Sequence, residues 1–204
     1  MDNPSRFMES TVPSINDRIA ARVRTLRAQL GLSLDALAAR TGVSRSALSL
    51  IERAESSPTA VVLNKLAAGL GVPLASLFDG ADAGIPAGRL ARRAEQPVWD
   101  DPGSGYQRRS VSPSGYPSPI QIVEVEFPAG AHVALEPGPR GRTVHQQVWL
   151  LEGAIELTVG DTCHTLEAGD CLAHELDEPI CFRNVTREPA RYAVVLVAEP
   201  VARR

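Results

Sequence analysis

The sequence predicts a chain in two parts: an all-α domain of five short helices, followed by an all-β barrel of short antiparallel strands. Three observations carry this. Apolar residues recur at helical spacing from residue 15 to residue 78 and lose that spacing beyond it. Residues 79–88 read Asp-Gly-Ala-Asp-Ala-Gly-Ile-Pro-Ala-Gly, the composition of a linker. After them come alternating apolar runs, with Glu152-Gly153, Gly160-Asp161 and Gly169-Asp170 placing turns eight and nine residues apart. The expected boundaries are a polar mobile tail over 1–14, a helical domain over 15–78, the linker over 79–88 and the β domain over 89–200. A length of 204 residues with 44% hydrophobic content supports two real cores.

Each helix has its own signal. Ile15, Ile19, Val23, Leu26 and Leu30 fall on one stripe of a first helix that Gly31 ends. Ser33 can accept the free backbone N–H groups that open a second helix, Asp35 suits the positive end of its dipole, and Leu37 and Ala38 face inward. Gly42 fits a left-handed residue past that helix, and Ser44 can cap a third, anchored by Leu48 and Ile51. Thr59 can cap a fourth helix carrying Val62, Leu63, Leu66, Ala67 and Leu70, and Pro73, Leu74, Leu77 and Phe78 suggest a fifth. The third helix presents Arg45, Ser46, Ser49 and Leu50 outward. Small polar groups at a helix N-terminus can approach phosphate and reach base edges.

From Leu37-Ala38 through Gly42-Val43-Ser44 to Ser49, Ile51 and Glu52, and on through Leu66-Ala67, Leu70-Gly71-Val72 and Leu77-Phe78, the order of small, apolar and polar positions resembles the XRE family. These are the lambda-repressor-like helix-turn-helix domains, and the resemblance covers residues 15–78. It implies that the third helix reads DNA, with Ser33, Ser44, Arg45, Ser46, Ser49 and Leu50 as contact residues. Two departures stand out. Leu34 occupies a position where the family often has Gln, and Ala54 stands where it usually has Gly. Use of the same helices for protein contact alone is the alternative, and the capped turn with the motif order favours DNA.

Charge is split in the same sense. Residues 1–78 hold nine basic against six acidic side chains, the remainder twelve against eighteen. The excess on the helical part is small but has the sign that phosphate attracts. There is no apolar run long enough to span a bilayer and no basic-then-apolar leader, so a cytoplasmic protein without membrane contact is expected. Cys163, Cys171 and Cys181 are odd in number and widely spaced, which reads as reduced strand residues.

In the β half, Ile120-Gln121-Ile122 and Val123-Glu124-Val125-Glu126-Phe127 alternate with a phase slip between Ile122 and Val123, which suggests a bulge. Val148-Trp149-Leu150-Leu151-Glu152-Gly153, Leu166-Glu167-Ala168-Gly169-Asp170, Phe182-Arg183-Asn184 and the closing run Tyr192-Ala193-Val194-Val195-Leu196-Val197 together resemble a cupin barrel over residues 130–197. Metal-dependent cupins hold their metal with two close His, a Glu and a third His. Here no His-x-His follows Gly130, Gln146 takes the Glu position, and Ile180 takes the last His position. No metal or cofactor is expected. An inward His145 could still join His132 or His174 and a thiolate in an unorthodox site, but His132, His145, His164 and His174 read more simply as sheet residues.

A barrel without metal can still hold a ligand. Strand alternation puts Gln146 with Val148 on one face and His145, Gln147 and Trp149 on the other, and the resemblance favours Gln146 as the interior member. Arg108 and Arg109 cannot both face inward, yet either could meet an anion bidentately, unless both belong to a solvated edge strand. The candidate effector residues are Arg108, Arg109, Gln146, Trp149 and His174. The two resemblances together imply a regulator, most often a repressor, that binds a palindromic double-stranded DNA operator as a homodimer and responds to a small-molecule effector. The alternatives are a metal-dependent cupin isomerase or dioxygenase with a DNA-binding appendage, or a barrel that serves only as a dimer clamp.

Overall fold

The computed structural model describes residues 13–78, 88–138 and 143–199. Four α-helices open the chain, each started by a side-chain cap: α1 (Ile15–Gln29) by Ser14, α2 (Leu34–Thr41) by Ser33, α3 (Arg45–Glu52) by Ser44 and α4 (Ala60–Leu70) by Thr59. At Ser14 the box is reciprocal, because the Asp17 carboxylate accepts the cap's own backbone N–H at 3.0 Å. Ser14 is therefore a fixed helix cap, which corrects its place in a mobile tail; residues 1–12 of that expected tail lie outside the described residues.

The helical stripes meet in one core. Ile19, Val23 and Leu26 of α1, Leu37 of α2, Leu48 and Ile51 of α3 and Leu63, Leu66 and Leu70 of α4 are all buried. Leu30 departs from the expected stripe: it is the C-cap residue of α1 and is 46% exposed, because the helical path ends before its side chain can swing back to the core. The expected fifth helix is a single 3-10 turn at Leu74–Leu77. Pro73 starts it without an N–H, and the bonds from Ser76 N to Pro73 O and Phe78 N to Ala75 O leave room only for i to i+3 closure.

Ten strands follow in two antiparallel sheets. The larger runs β1 (Val98–Asp100), β2 (Gln107–Ser110), β3 (Ile120–Phe127), β10 (Ala190–Ala198), β5 (Val144–Glu152), β8 (Cys171–Glu175) in spatial order. The smaller runs β4 (His132–Leu135), β9 (Ile180–Arg183), β6 (Ala154–Val159), β7 (Thr162–Glu167). This arrangement of two antiparallel sheets is the barrel expected from the resemblance to a cupin. In β5, Val144, Gln146, Val148 and Leu150 are buried and His145, Gln147 and Trp149 exposed, so alternation is strict. No bulge interrupts β3: its pairing with β10 is continuous, and the apparent slip arises because Ile120 and Ile122 are apolar residues on the outer face. The register shift lies instead between β10 and β5, at Arg191/Tyr192. At the β5–β6 turn, Gly153 has φ 79°, and a Cβ there would stand 2.9 Å from the Pro189 carbonyl oxygen, so only glycine fits.

The apolar cores of helices and barrel are continuous. Phe78 meets the Trp99 ring edge-on at 5.4 Å, and Trp99 meets Tyr106 at 5.7 Å. The Arg108 guanidinium lies 4.0 Å over the Phe78 ring. Asp101, from the β1–β2 turn, accepts the Ala60 N–H at 2.8 Å, so the barrel supplies a second cap to α4. Of the expected linker, residues 79–87 lie outside the described residues. Among the described residues no helix is long and apolar enough to cross a membrane.

Candidate nucleic-acid interface and barrel cavity

The outer side of α3 is built by local rules. Ser44 Oγ accepts the Ala47 N–H and lies 3.1 Å from Ser46 Oγ, so the two hydroxyls sit together at the helix N-terminus. Ser33 does the same for α2, accepting the Ala36 N–H. Ser33, Ser44, Arg45, Ser46 and Leu50 are exposed, and Ser49 is half-buried with its hydroxyl accepting from Arg53. Arg45 rests against Asp35 at 3.1 Å, a pair exposed on both sides and worth less than about 1 kcal/mol. It is therefore free to exchange Asp35 for a nucleic-acid acceptor.

Two supports of this face were not apparent from the sequence. The Arg27 guanidinium grips the Glu52 carboxylate with two bonds, at 2.6 and 2.8 Å, and also donates to the Leu32 carbonyl, while Arg24 donates to the Glu52 carbonyl. The Glu52 bond raises the pKa of Arg27 above its ordinary value. This bidentate pair fixes the end of α3 against α1. Its sequence signal is a carboxylate following Ile51 on a buried face. At the helix exit Ala54 takes φ 57°, the left-handed conformation in which Gly is usual.

Inside the barrel lies a cavity of about 100 Å³. Its barrel side includes Tyr106, Arg108, Phe127, Gln146, Phe182 and Tyr192. Burial raises the pKa of the Tyr106 and Tyr192 hydroxyls, which keeps both as neutral donors. Of the expected effector residues, Arg108 and Gln146 are buried in this wall. His174 stands behind Gln146: Nδ1 lies 2.9 Å from the Glu175 carbonyl, which assigns it the proton, and Nε2 accepts from Gln146 Nε2 at 3.3 Å.

Arg109 and Trp149 need correction. Arg109 points to the outer face and pairs with Glu124 at 3.3 Å; Trp149 is 51% exposed on the same face. Strand alternation sends each opposite to its inward neighbour, Arg108 or Val148. Glu124 gathers Arg93, Arg109 and Arg191; burial raises its pKa, but the Arg191 hydrogen bond and the three charges outweigh that and hold it below the ordinary carboxylate value.

The histidines are dispersed. His145 faces outward toward Glu199 and Glu175, and His132 Nε2 lies 3.1 Å from Cys181 Sγ. Among the described residues no three metal-ligating side chains come together, and Gln146 and Ile180 of the cavity wall offer a neutral amide and no donor. The donor set does not fit a metal.

Residues 23–77 match the helix-turn-helix family HTH_3. The chain is 30% identical over 188 residues to the HTH-type transcriptional regulator SutR of Escherichia coli K12, covering 90% of each. It is similar in structure to an HTH_3 family transcriptional regulator from Vibrio cholerae, with a TM-score of 0.70, 27% identity, and 91% of this chain and 97% of that one covered. The hydroxypropylphosphonic acid epoxidase of S. wedmorenis, solved with fosfomycin, overlaps more loosely: TM-score 0.44 and 18% identity over 90% and 99% of the two chains, too distant to bear on function. With capped helices 2 and 3 of the motif, an exposed α3 face and a full-length relative of this kind, the chain belongs to the family of HTH-type transcriptional regulators.

Proposed function

We propose that this regulator binds a palindromic operator in double-stranded DNA as a homodimer, acts as a cytoplasmic repressor, and takes a small-molecule effector in its barrel. The observation that carries the DNA reading is the α3 face, where Ser44, Arg45, Ser46 and Leu50 are exposed on a helix held rigidly by Arg27–Glu52. Arg45 suits a guanine edge or a phosphate, Ser46 either, and Leu50 a thymine methyl. Ser33 and Ser44 keep their helix N-termini in register, where backbone N–H groups can meet phosphate. Ser49, engaged by Arg53, is a supporting contact.

One such helix reads too few base pairs for specificity, and a two-fold pair places its helices about 34–36 Å apart. The outer face of the larger sheet offers contact for a second copy, with Trp149, Ile120 and Ile122 at 51, 46 and 37% exposure. Light scattering with and without DNA checks this; monomers in both states would remove the dimer.

We read the barrel as a sensor rather than a catalyst, on the chemistry of its wall: Arg108 and Gln146 bind and orient but neither is a good metal ligand. A stoichiometric transition metal in protein purified without an affinity tag would revive the enzyme alternative. The deciding experiment for the main reading is selection of bound fragments from the source organism's DNA at near-physiological salt. One palindromic motif is the expected result; weak, salt-sensitive binding without a motif would overturn specific regulation.

A further inference from the structure

The cavity is not enclosed by the barrel alone. Asn64, Ala67 and Ala68 of α4, with Pro73, Leu74 and Ala75 of the turn that follows, complete its wall. Asn64 is the polar member of that helical wall and is 9% exposed. Its Nδ2 donates to the Glu136 carbonyl at 3.4 Å, while its buried Oδ1 has no hydrogen-bond partner among the described residues. A buried acceptor left unsatisfied is unfavourable, so a donor delivered to it is bound more tightly. In the barrel wall Arg108 donates to Ser110 Oγ at 3.0 Å while its guanidinium lies on Phe78, the last described residue of the helical half. The charge in the barrel wall is thus seated on a side chain of the helical domain. A groove lined by Arg40, Lys65 and Glu136 adjoins the cavity, sharing Ala68, Glu136 and Gly138 with it.

We propose that the helical domain is itself part of the effector site: the ligand is a small aliphatic carboxylate bearing a hydrogen-bond donor, held with its carboxylate toward Arg108 and its donor on Asn64 Oδ1. This rests on the effector reading above and names its ligand class and its route to DNA. The size follows from the space: a dry cavity of roughly 150 Å³ takes benzene, with its six non-hydrogen atoms, so one of about 100 Å³ takes a molecule of about four or five. The apolar part of the wall, Phe127, Phe182, Val194 and Leu196, suits a short alkyl part. The two basic side chains of the adjoining groove favour entry of an anion, and Glu136 stands among them. Because the ligand touches α4 and the Pro73–Ala75 wall directly, it favours one seating of the helical domain on the barrel. Its differential affinity for that seating is the coupling energy to DNA binding.

The test uses the full chain without DNA and two probes of the right size that differ only in a methyl against a hydroxyl, propanoate and the hydroxy acid glycolate. Calorimetry is expected to show both binding, the hydroxy acid about tenfold more tightly, with that advantage lost in Asn64→Ala and both affinities reduced in Arg108→Gln. If Asn64→Ala does not fold, Ala68→Leu narrows the cavity from the same helix and should weaken both probes. Amide exchange should slow in α4 and in residues 73–78 when the hydroxy acid binds. Failure of both probes to bind wild-type protein would overturn the ligand class. Binding that is indifferent to Asn64→Ala or Ala68→Leu and protects only strands would overturn the helical wall. Either failure is independent of the operator selection, which reports on the DNA reading alone.

Discussion

The α3 face and the barrel cavity are built by opposite means. The face is open to solvent, and its side chains are placed by caps within their own helices and by one buried ion pair to a neighbouring helix, Arg27–Glu52. The cavity is lined by residues scattered from Asn64 to Leu196, contributed by the barrel and the helices together. A site of the first kind withstands changes elsewhere in the chain. A site of the second kind feels every change at the interface that closes it, which is the property a sensor needs.

Substitutions can sharpen or break that contrast. The largest expected effect is Glu52→Ala, which removes both bonds to the half-buried Arg27 guanidinium and should cost about 3 kcal/mol in denaturant unfolding, with operator affinity lost before probe binding. Equal loss of both activities would erase the distinction between the sites. Asp101→Ala should cost about 2–3 kcal/mol, since one carboxylate accepts from Ala60, from the Ser104 backbone and from the Ser104 hydroxyl. It joins the halves, so it should weaken both sites, and a purely local effect in either assay would contradict the shared wall.

Glu124→Gln lies on the outer face, turned away from the cavity that Val123 and Val125 of the same strand line, and serves as the control at about 1–2 kcal/mol. The folded carboxyl titrates below its ordinary value of 4.5, so its contribution is complete above that pH and is lost as the pH falls through the lower folded value. Thermal unfolding of wild type and variant should therefore differ at neutral pH and converge in acid. Arg45→Ala should weaken operator binding about tenfold with unchanged probe binding: relaxed preference at one base pair marks a base contact, and uniform loss over all sequences marks a phosphate contact. The smallest effect is a gain. Ala54→Gly removes a left-handed alanine and should raise stability by about 0.5–1 kcal/mol, or a few degrees in Tm, leaving the cavity untouched.

The helix starts were legible because a cap is a local event: Ser33, Ser44 and Thr59 each bond an amide three residues on. Gly42 at φ 68° was legible for the same reason. The resemblance to a cupin and strict alternation together selected Gln146 for the interior. Local reading failed where the answer depended on distant chain. The apolar outer residues Ile120 and Ile122 simulated a bulge, and Trp149, large and aromatic, was assigned to a cavity from which its own strand turns it away. The sign within the Arg108–Arg109 pair was open until β2 had a place in the sheet.

By itself the sequence determined the two-part plan and the helix-turn-helix with its exposed residues, because caps, periodicity and residue chemistry act over a few neighbouring positions. Only the tertiary structure decided that Glu52 is held by Arg27, that Asp101 caps a helix of the other half, and that Asn64 and Ala68 close the barrel cavity. Those contacts join residues 25 to more than 100 positions apart, and their energy comes from removing charge, amide and aromatic groups from water together, which no local segment can do alone.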